Sequence, residues 1–173
     1  MIATLNDGLI IRELTERDAP RLFELMNRPE VQAFLPDRFD SLDEMGEVIG
    51  WLRGNYGKAE YIRLTYAVSD GDALVGWVSA GPLPSDESRR ELAYCVHPDR
   101  WGRGIATSAA RAFIDWLRAA DLAGELDAEV HTDNAASIKV LESCGFVRSG
   151  AFADRESGAS KFLYRLQPLP SGT

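Results

Sequence analysis

The segment covering residues 90–107 constrains the fold of this chain more than any other stretch. It begins as an apolar strand over residues 91–96, and two glycines, Gly102 and Gly104, then lead into a helix with apolar residues at helical spacing. At the start of such a helix, several backbone N–H groups have no hydrogen-bond partner and point in the same direction. These groups and the helix dipole both attract negative charge, so the segment predicts a phosphate-binding loop.

The elements on either side of this segment predict one domain with a mixed sheet. Strands are indicated over residues 9–14, 60–69, 74–80, 90–96 and 126–131, from residue 146 and over 162–166, and helices over residues 18–26, 41–52, 105–120 and 134–144, with a loop over residues 81–86. The middle strands form an antiparallel meander. The strand–helix–strand crossover that begins at residue 90 should bring two parallel strands together.

The expected fold is therefore α/β (α+β), with a mixed, mostly antiparallel sheet of about six to seven strands. A central parallel strand pair and flanking helices complete it. We expect residues 1–168 to form a single domain and residues 169–173 to form a flexible tail.

The second predicted helix contains an unusual number of glycines. Ser41 and Glu44 have the spacing of a capping box, which marks the start of this helix. Gly46, Gly50 and Gly54 each weaken a helix by up to about 1 kcal/mol relative to alanine. Two interpretations remain open: the helix is a mobile lid, or its small residues pack closely against a neighbour.

Composition excludes several classes of function. The net charge of −8 argues against nucleic-acid binding, which needs a basic face, and supports a cationic partner only weakly. No run of about 18 apolar residues predicts a membrane span. The start of the chain lacks the features of a secretory signal, and Cys95 and Cys144 are not in a CxxC pattern, so we expect reduced, buried thiols and a cytoplasmic location. His97 and His131 are too far apart in sequence to indicate a metal site.

A second motif follows the first after one predicted strand. Asn134 is a natural helix N-cap, Ser137 lies one turn into the helix, and Gly145 followed by Phe146 ends it. This motif and the Trp-Gly-Arg-Gly-Ile-Ala-Thr loop at residues 101–107, in this order, resemble the GCN5-related N-acetyltransferase (GNAT) superfamily, and within it the RimJ/RimL-like branch. The resemblance covers nearly the whole chain.

This resemblance implies an enzyme, an acetyl-CoA-dependent N-acetyltransferase. It would transfer acetyl to a primary amine in a ternary complex, and the expected acceptor is the α-amine of a protein or peptide N-terminus. A small-molecule acceptor, such as an antibiotic or a polyamine, and a non-catalytic acyl-CoA-binding module are the alternatives. Acetyl-CoA and the amine are the expected partners, with no metal, nucleic acid or membrane, and a homodimer is allowed.

Residues 101–107 resemble the acetyl-CoA pyrophosphate loop of the RimJ/RimL-like branch, since Trp101 stands where the broader superfamily has Gln or Arg. Gly102 and Gly104 permit close approach of the backbone, residues 103–107 supply N–H donors, and Arg103 adds positive charge. A P-loop would need Gly-Lys-Ser/Thr, and a dinucleotide fingerprint would need a third glycine; both are absent. The predicted cofactor-binding residues are Tyr94, Cys95, Val96, Trp101, Gly102, Arg103, Gly104, Ile105, Ala106, Thr107, Asn134 and Ser137.

The reaction needs a base, because an amine is mostly protonated near neutral pH. Glu91, at the start of the central strand, resembles the glutamate often found there in this superfamily. The alternative is a solvated edge carboxylate paired with Arg89 or Arg90. Glu129 on the neighbouring strand is a weaker candidate.

The reaction also needs donors for two developing negative charges. A backbone N–H within residues 94–96, freed by a bulge or by strand splay, would bind the oxyanion. Many superfamily members carry a tyrosine acid where this chain has Leu141, so the leaving thiolate is assigned to Ser137 instead. The alternative for Ser137 is a capping or backbone hydrogen bond. Asn134 can cap its helix and also bind the pantetheine amides.

The acceptor side is harder to predict. Specificity is expected in the helices within residues 18–57 and in the hairpin at Asp154. Tyr61 and Tyr66 line either the acceptor pocket or the core.

Overall fold

The computed structural model describes residues 1–5, 8–35, 37–58, 62–122 and 124–166. The predicted tail and Tyr61 lie outside these residues. The strands are β1 (Ala3–Thr4), β2 (Ile10–Glu13), β3 (Leu64–Asp70), β4 (Ala73–Leu83), β5 (Asp86–Val96), β6 (Leu126–His131), β7 (Phe146–Ala153) and β8 (Ser160–Leu166). The α-helices are α1 (Ala19–Met26), α2 (Pro29–Gln32), α3 (Leu42–Arg53), α4 (Ile105–Ala119) and α5 (Ala135–Ser143).

All eight strands belong to one sheet, in the order β1-β2-β3-β4-β5-β6-β8-β7. Only β5 and β6 pair in parallel, and every other neighbouring pair is antiparallel. The predicted mixed α/β fold with a central parallel pair is confirmed. The eighth strand is β1, which at two residues is too short to show a periodic pattern.

Two hydrophobic cores lie on the two faces of the sheet. One contains α4 and part of α5, with Phe113 and Leu117 of α4 fully buried. The other contains α1 and α3, with Leu25 and Ile49 fully buried. Because successive strand residues point to opposite faces, β5 contributes Leu92 to the first core while its neighbours in sequence face the other side.

The helix α3 is a core element that packs through its large side chains. Ser41 caps it as predicted, since its hydroxyl accepts a backbone N–H from three residues further on at 3.1 Å. Met45 and Ile49 are buried against α1 and the sheet. A Cβ at Gly46 or Gly50 would meet no atom within 4 Å, so the close-packing interpretation of the glycines is wrong.

The predicted loop over residues 81–86 is also wrong, because β4 and β5 run through most of it. The two strands are joined by a turn of only Pro84 and Ser85. The register between them shifts next to Pro82, where proline removes an N–H donor from the ladder. The prolines that indicated a loop therefore mark a local irregularity in a long hairpin.

Candidate active site

The parallel strands β5 and β6 separate along their length. Their ladder consists of two residue pairs, Arg90 with Leu126 and Glu91 with Asp127. Beyond Glu91, β5 continues to Val96 and β6 continues to its own end without further pairing between the two. The divergence opens a cleft in the middle of the sheet.

The strand divergence leaves backbone groups of β5 directed into this cleft. Arg90 donates its N–H towards β6, to Glu125 at 3.2 Å, whereas His97 donates its N–H towards β4, to Val75 at 2.8 Å. Because strand residues alternate in direction, the N–H groups of Tyr94 and Val96 point to the β6 side. The predicted free donor thus arises from strand splay and not from a bulge, since the register with β4 is regular along this part of β5.

The helix α4 begins without a side-chain cap. Its N-cap is Gly104, with φ of +73°, and the first helical bond runs from the N–H of Ser108 to the Gly104 carbonyl at 3.0 Å. The N–H groups of Ile105, Ala106 and Thr107 therefore have no helical acceptor. A left-handed φ favours glycine, which explains the residue type at this position. The arrangement is that of an anion-binding helix terminus.

The loop before α4 is tied to the end of β5. The indole N–H of Trp101 donates to the Val96 carbonyl at 2.7 Å. Arg103 is exposed, and no side chain in the described part of the chain pairs with it. Arg100 is already paired, because its guanidinium donates a hydrogen bond to Asp70 at 3.3 Å. Arg103 is thus the loop cation available to a phosphate.

The opposite wall of the cleft is the start of α5. Asn134 caps this helix as predicted, accepting the N–H of Ser137 at 3.1 Å. Within the described residues, the Ser137 hydroxyl makes no hydrogen bond to the backbone. It lies 3.0 Å from the hydroxyl of Tyr94, which crosses from β5. Leu141 is buried in the core.

Glu91 is largely buried and has a partner that the sequence did not indicate. Its side chain is 14% exposed, and its carboxylate accepts a hydrogen bond from Arg63 at 3.2 Å. Burial raises the pKa of Glu91, and the Arg63 charge opposes this effect. The alternative of a solvated carboxylate paired with Arg89 or Arg90 is wrong, because the Glu91 side chain is buried against Arg63 and Arg89 binds Asp127.

A glycine makes the Arg63–Glu91 contact possible. Gly81 lies directly opposite Glu91 in the β4–β5 register. A Cβ at Gly81 would lie 2.9 Å from the Arg63 Nε atom, so any larger residue would displace the guanidinium. Arg63 was not predicted as a site residue, because nothing in the sequence shows which distant side chain contacts Glu91.

Glu129 also faces the cleft but already has fixed partners. Its side chain is 3% exposed, and Lys161 lies 3.7 Å from one of its oxygens. The other oxygen accepts the N–H of Ser85 at 3.2 Å. Glu129 is therefore held more firmly than Glu91, which has one oxygen without a hydrogen bond in the described part of the chain.

The cleft has a volume of about 570 Å³ and a polarised lining. Arg103 and Lys139 lie on the side of the loop and α5, and Glu91 and Glu129 lie where the strands meet. Glu30 and Arg100 also line the cleft, and most of the remaining wall is apolar, including residues 31, 34 and 35, in and just after α2. Of these, Phe34 contacts the ring of His131, with the ring centroids 5.7 Å apart. This segment lies within residues 18–57, whose helices were expected to determine specificity, but α2 itself was not predicted to be a helix.

Comparison with known proteins identifies the family. Residues 8–147 match the family described as Acetyltransferase (GNAT) domain. The chain belongs to the GNAT acetyltransferases. It is an acyltransferase of the EC 2.3.1 type. An uncharacterised N-acetyltransferase, p20 of Bacillus licheniformis, is 23% identical over 158 residues, which cover 91% of this chain and 89% of the relative.

Solved structures share the GNAT fold. RimL, a ribosomal alpha-N-protein acetyltransferase in complex with coenzyme A, superposes with a TM-score of 0.80 at 18% identity over 95% of both chains. The aminoglycoside acetyltransferase AAC(6')-Ib, also with coenzyme A, has a TM-score of 0.70 at 18% identity over 90% of this chain and 93% of that chain. At this identity the likeness concerns the fold, and GNAT neighbours of both acceptor types share it.

Other features of this GNAT chain concern thiols, metals and membranes. Cys95 and Cys144 are free and half-buried, and burial raises the pKa of Cys95 to about 12. Among the described residues, no three His, Cys, Asp or Glu side chains are grouped so that they could hold a metal ion. No helix in the described ranges is long and apolar enough to cross a membrane.

Proposed function

We propose that this GNAT enzyme transfers the acetyl group of acetyl-CoA to the α-amine of a protein or peptide N-terminus, as in the RimJ/RimL-like branch. The observation that carries the proposal is the polarity of one cleft, in which an uncapped helix terminus and a buried carboxylate face the same space. A diphosphate fits the first and a cationic amine fits the second.

The residues of the loop and of α4 suit the cofactor. We assign the diphosphate to the free N–H groups of Ile105, Ala106 and Thr107, with Arg103 adding charge. The free N–H groups on the cleft edge of β5 suit amides of the pantetheine arm. All of the predicted cofactor-binding residues, including Cys95, line this one cleft.

Transfer requires one proton to leave the amine before it attacks. Glu91, with a raised pKa and a free carboxylate oxygen, accepts this proton directly or through water. The nitrogen lone pair then forms a bond to the carbonyl carbon, and the oxyanion is stabilised by the N–H of Tyr94 or Val96. As the C–S bond breaks, its electron pair leaves on sulfur, where the Ser137 hydroxyl donates a hydrogen bond. The second amine proton passes to solvent and then to the thiolate.

A small amine is the second candidate acceptor. The apolar wall formed by Val31, Phe34 and Leu35 lies beside the carboxylates and would suit a compact amine with an apolar part. A non-catalytic binding module is less well supported, because a buried carboxylate and a hydrogen-bonded serine face the same cleft.

The proposal is tested by following coenzyme A release from acetyl-CoA with a panel of N-terminal peptides, polyamines and aminoglycosides. We expect release with peptides bearing a free α-amine, and none with the same peptides acetylated at the N-terminus. Release only with small amines would replace the peptide acceptor by the second candidate. No release with any amine, despite acetyl-CoA binding, would favour the non-catalytic module.

A further inference from the structure

Tyr94 makes a contact across the cleft that the sequence did not predict. It lies on β5, on the face of the strand that points to α4 and α5. Its hydroxyl lies 3.0 Å from the hydroxyl of Ser137 and 3.1 Å from the Ser137 carbonyl oxygen. It therefore joins the strand wall of the cleft to the helix wall at the residue assigned to the leaving sulfur.

We propose that Tyr94 is a positioning residue that directs the Ser137 hydroxyl proton towards the sulfur of departing coenzyme A. The inference rests on the proposed function and adds one residue to it. It also accounts for a tyrosine in the site of a chain that has Leu141 where many GNAT members carry a tyrosine acid.

The donors and acceptors at this contact limit where the Ser137 proton can go. Ser137 has a single hydroxyl proton, which can reach only one acceptor at a time. The Tyr94 hydroxyl can donate to either oxygen of Ser137, so the serine proton is not needed to satisfy the tyrosine. When Tyr94 donates to the Ser137 hydroxyl oxygen, that hydroxyl becomes a stronger donor through hydrogen-bond cooperativity.

Tyr94 acts in this arrangement as a hydrogen-bond donor and does not give up its proton. Burial raises the pKa of Tyr94 well above its usual range, and the Ser137 bond offsets only part of this rise. A thiolate whose conjugate acid has a pKa of about 8–9 cannot take a proton from such a group in a favourable step. The pair therefore stabilises the thiolate through hydrogen bonds until solvent protonates it.

The test is a double-mutant cycle with Tyr94→Phe, Ser137→Ala and the double variant. We expect Tyr94→Phe to lower kcat about tenfold, the effect of losing one hydrogen bond from a network that ends on a charged thiolate. The KM for acetyl-CoA should change little. In the Ser137→Ala background the same substitution should have no further effect, because Tyr94 acts through Ser137. The Tyr66 side chain, which the sequence left between the acceptor pocket and the core, is buried in the same core as Tyr94 and does not line the cleft. Tyr66→Phe is therefore the matched control and should leave kcat unchanged.

A second measurement needs no acceptor. Ultraviolet absorbance of the thiolate gives the titration of coenzyme A bound to each variant. We expect the bound thiol to titrate about one pH unit higher in Tyr94→Phe and in Ser137→Ala than in the parent enzyme. In the double variant it should titrate at the same pH as in the two single variants.

The two measurements separate failure of the inference from failure of the proposed function. Equal losses of kcat from Tyr94→Phe in both backgrounds, or an unchanged thiol titration, would overturn the role of Tyr94. Failure of every amine in the acceptor panel would overturn the proposed function, whereas the thiol titration would still decide the inference.

Discussion

The chemistry of Glu91 depends on residues that are distant in sequence. Arg63 precedes β3, and Gly81, at the end of β4, leaves the space in which the guanidinium lies. Burial makes the carboxyl easier to protonate, and Arg63 makes it harder. These two opposing effects on its pKa would suit Glu91 to accept a proton near neutral pH.

Glu91→Gln should lower kcat about 10²-fold or more, since the amide keeps the shape of the side chain but accepts no proton. Acetyl-CoA binding should be retained. Because the pKa of Glu91 is raised, its carboxylate is lost as pH falls, at a higher pH than for an ordinary carboxyl group. For the parent enzyme, log kcat/KM should therefore fall with a slope of about one below the pKa of Glu91, because Glu91 takes the proton from an amine that binds protonated.

In the glutamine variant log kcat/KM should already fall below the pKa of the amine, because without Glu91 only amine that is deprotonated in solution can react. Glu87→Gln, an exposed change of the same charge on the same strand, is the control and should keep the parent profile. An acid limb that begins at the same pH in Glu91→Gln and in the parent enzyme would remove Glu91 from the base role.

Gly104→Ala should raise KM for acetyl-CoA about fivefold. The alanine Cβ is unfavourable at φ of +73° by about 1 kcal/mol, so the N–H groups at the start of α4 would shift from their present direction. Gly8→Ala introduces the same strain at φ of +75° at the far edge of the sheet. Both variants should lose similar thermal stability, and only Gly104→Ala should change KM. Equal KM values in the two variants would contradict the loop assignment.

At the scale of elements, the site is made by a strand, a loop and two helix starts. The Trp101 indole ties the loop after β5 back to that strand, through its bond to the Val96 carbonyl. The same carbonyl lies on the edge of β5 that faces the cleft. The bond therefore fixes the position of the loop relative to the strand edge that would hold the pantetheine arm.

Trp101→Phe should raise KM for acetyl-CoA about fivefold, because it removes a hydrogen bond of about 1 kcal/mol and frees the loop. The matched control is Trp51→Phe. Both tryptophans are about half exposed, at 52% and 56%, but Trp51 lies on the outer side of α3, away from the cleft. Isothermal titration with coenzyme A would measure the difference, and equal affinities for the two variants would argue against this role of the indole.

At the scale of the whole molecule, two halves of the sheet meet at a narrow joint. The strands β1–β5 and β6–β8 are connected by only two residue pairs between β5 and β6. At this joint the buried carboxylate of Asp127 binds Arg89 from β5 at 2.7 Å and lies 3.6 Å from Arg165 of β8. One ion cluster thus spans the point from which the cleft opens.

Asp127→Ala should lower the free energy of unfolding by about 3 kcal/mol, since it leaves Arg89 without its buried partner. For a chain of this length we expect a fall in Tm of about 6–12 °C. KM for acetyl-CoA should rise as the two walls lose their fixed separation. Glu87→Ala, at an exposed position near the start of β5, is the control and should leave Tm unchanged. An unchanged Tm in Asp127→Ala would show that the ion cluster does not hold the joint.

The local elements of the site could be predicted from the sequence alone. The cap at Asn134, the glycine entry to α4 and the parallel crossover all depend on residues close together along the chain. Capping, backbone conformation and apolar spacing act over a few residues, so their signals remain in the sequence.

The partners of the site residues were decided only by the tertiary structure. Arg63 meets Glu91 because Gly81 lies opposite in the register, and Tyr94 meets Ser137 because the strands diverge. Phe34 reaches the cleft through a segment with no periodic pattern. Register, strand splay and burial result from packing of distant elements, and they determine which charges meet and how far each pKa moves.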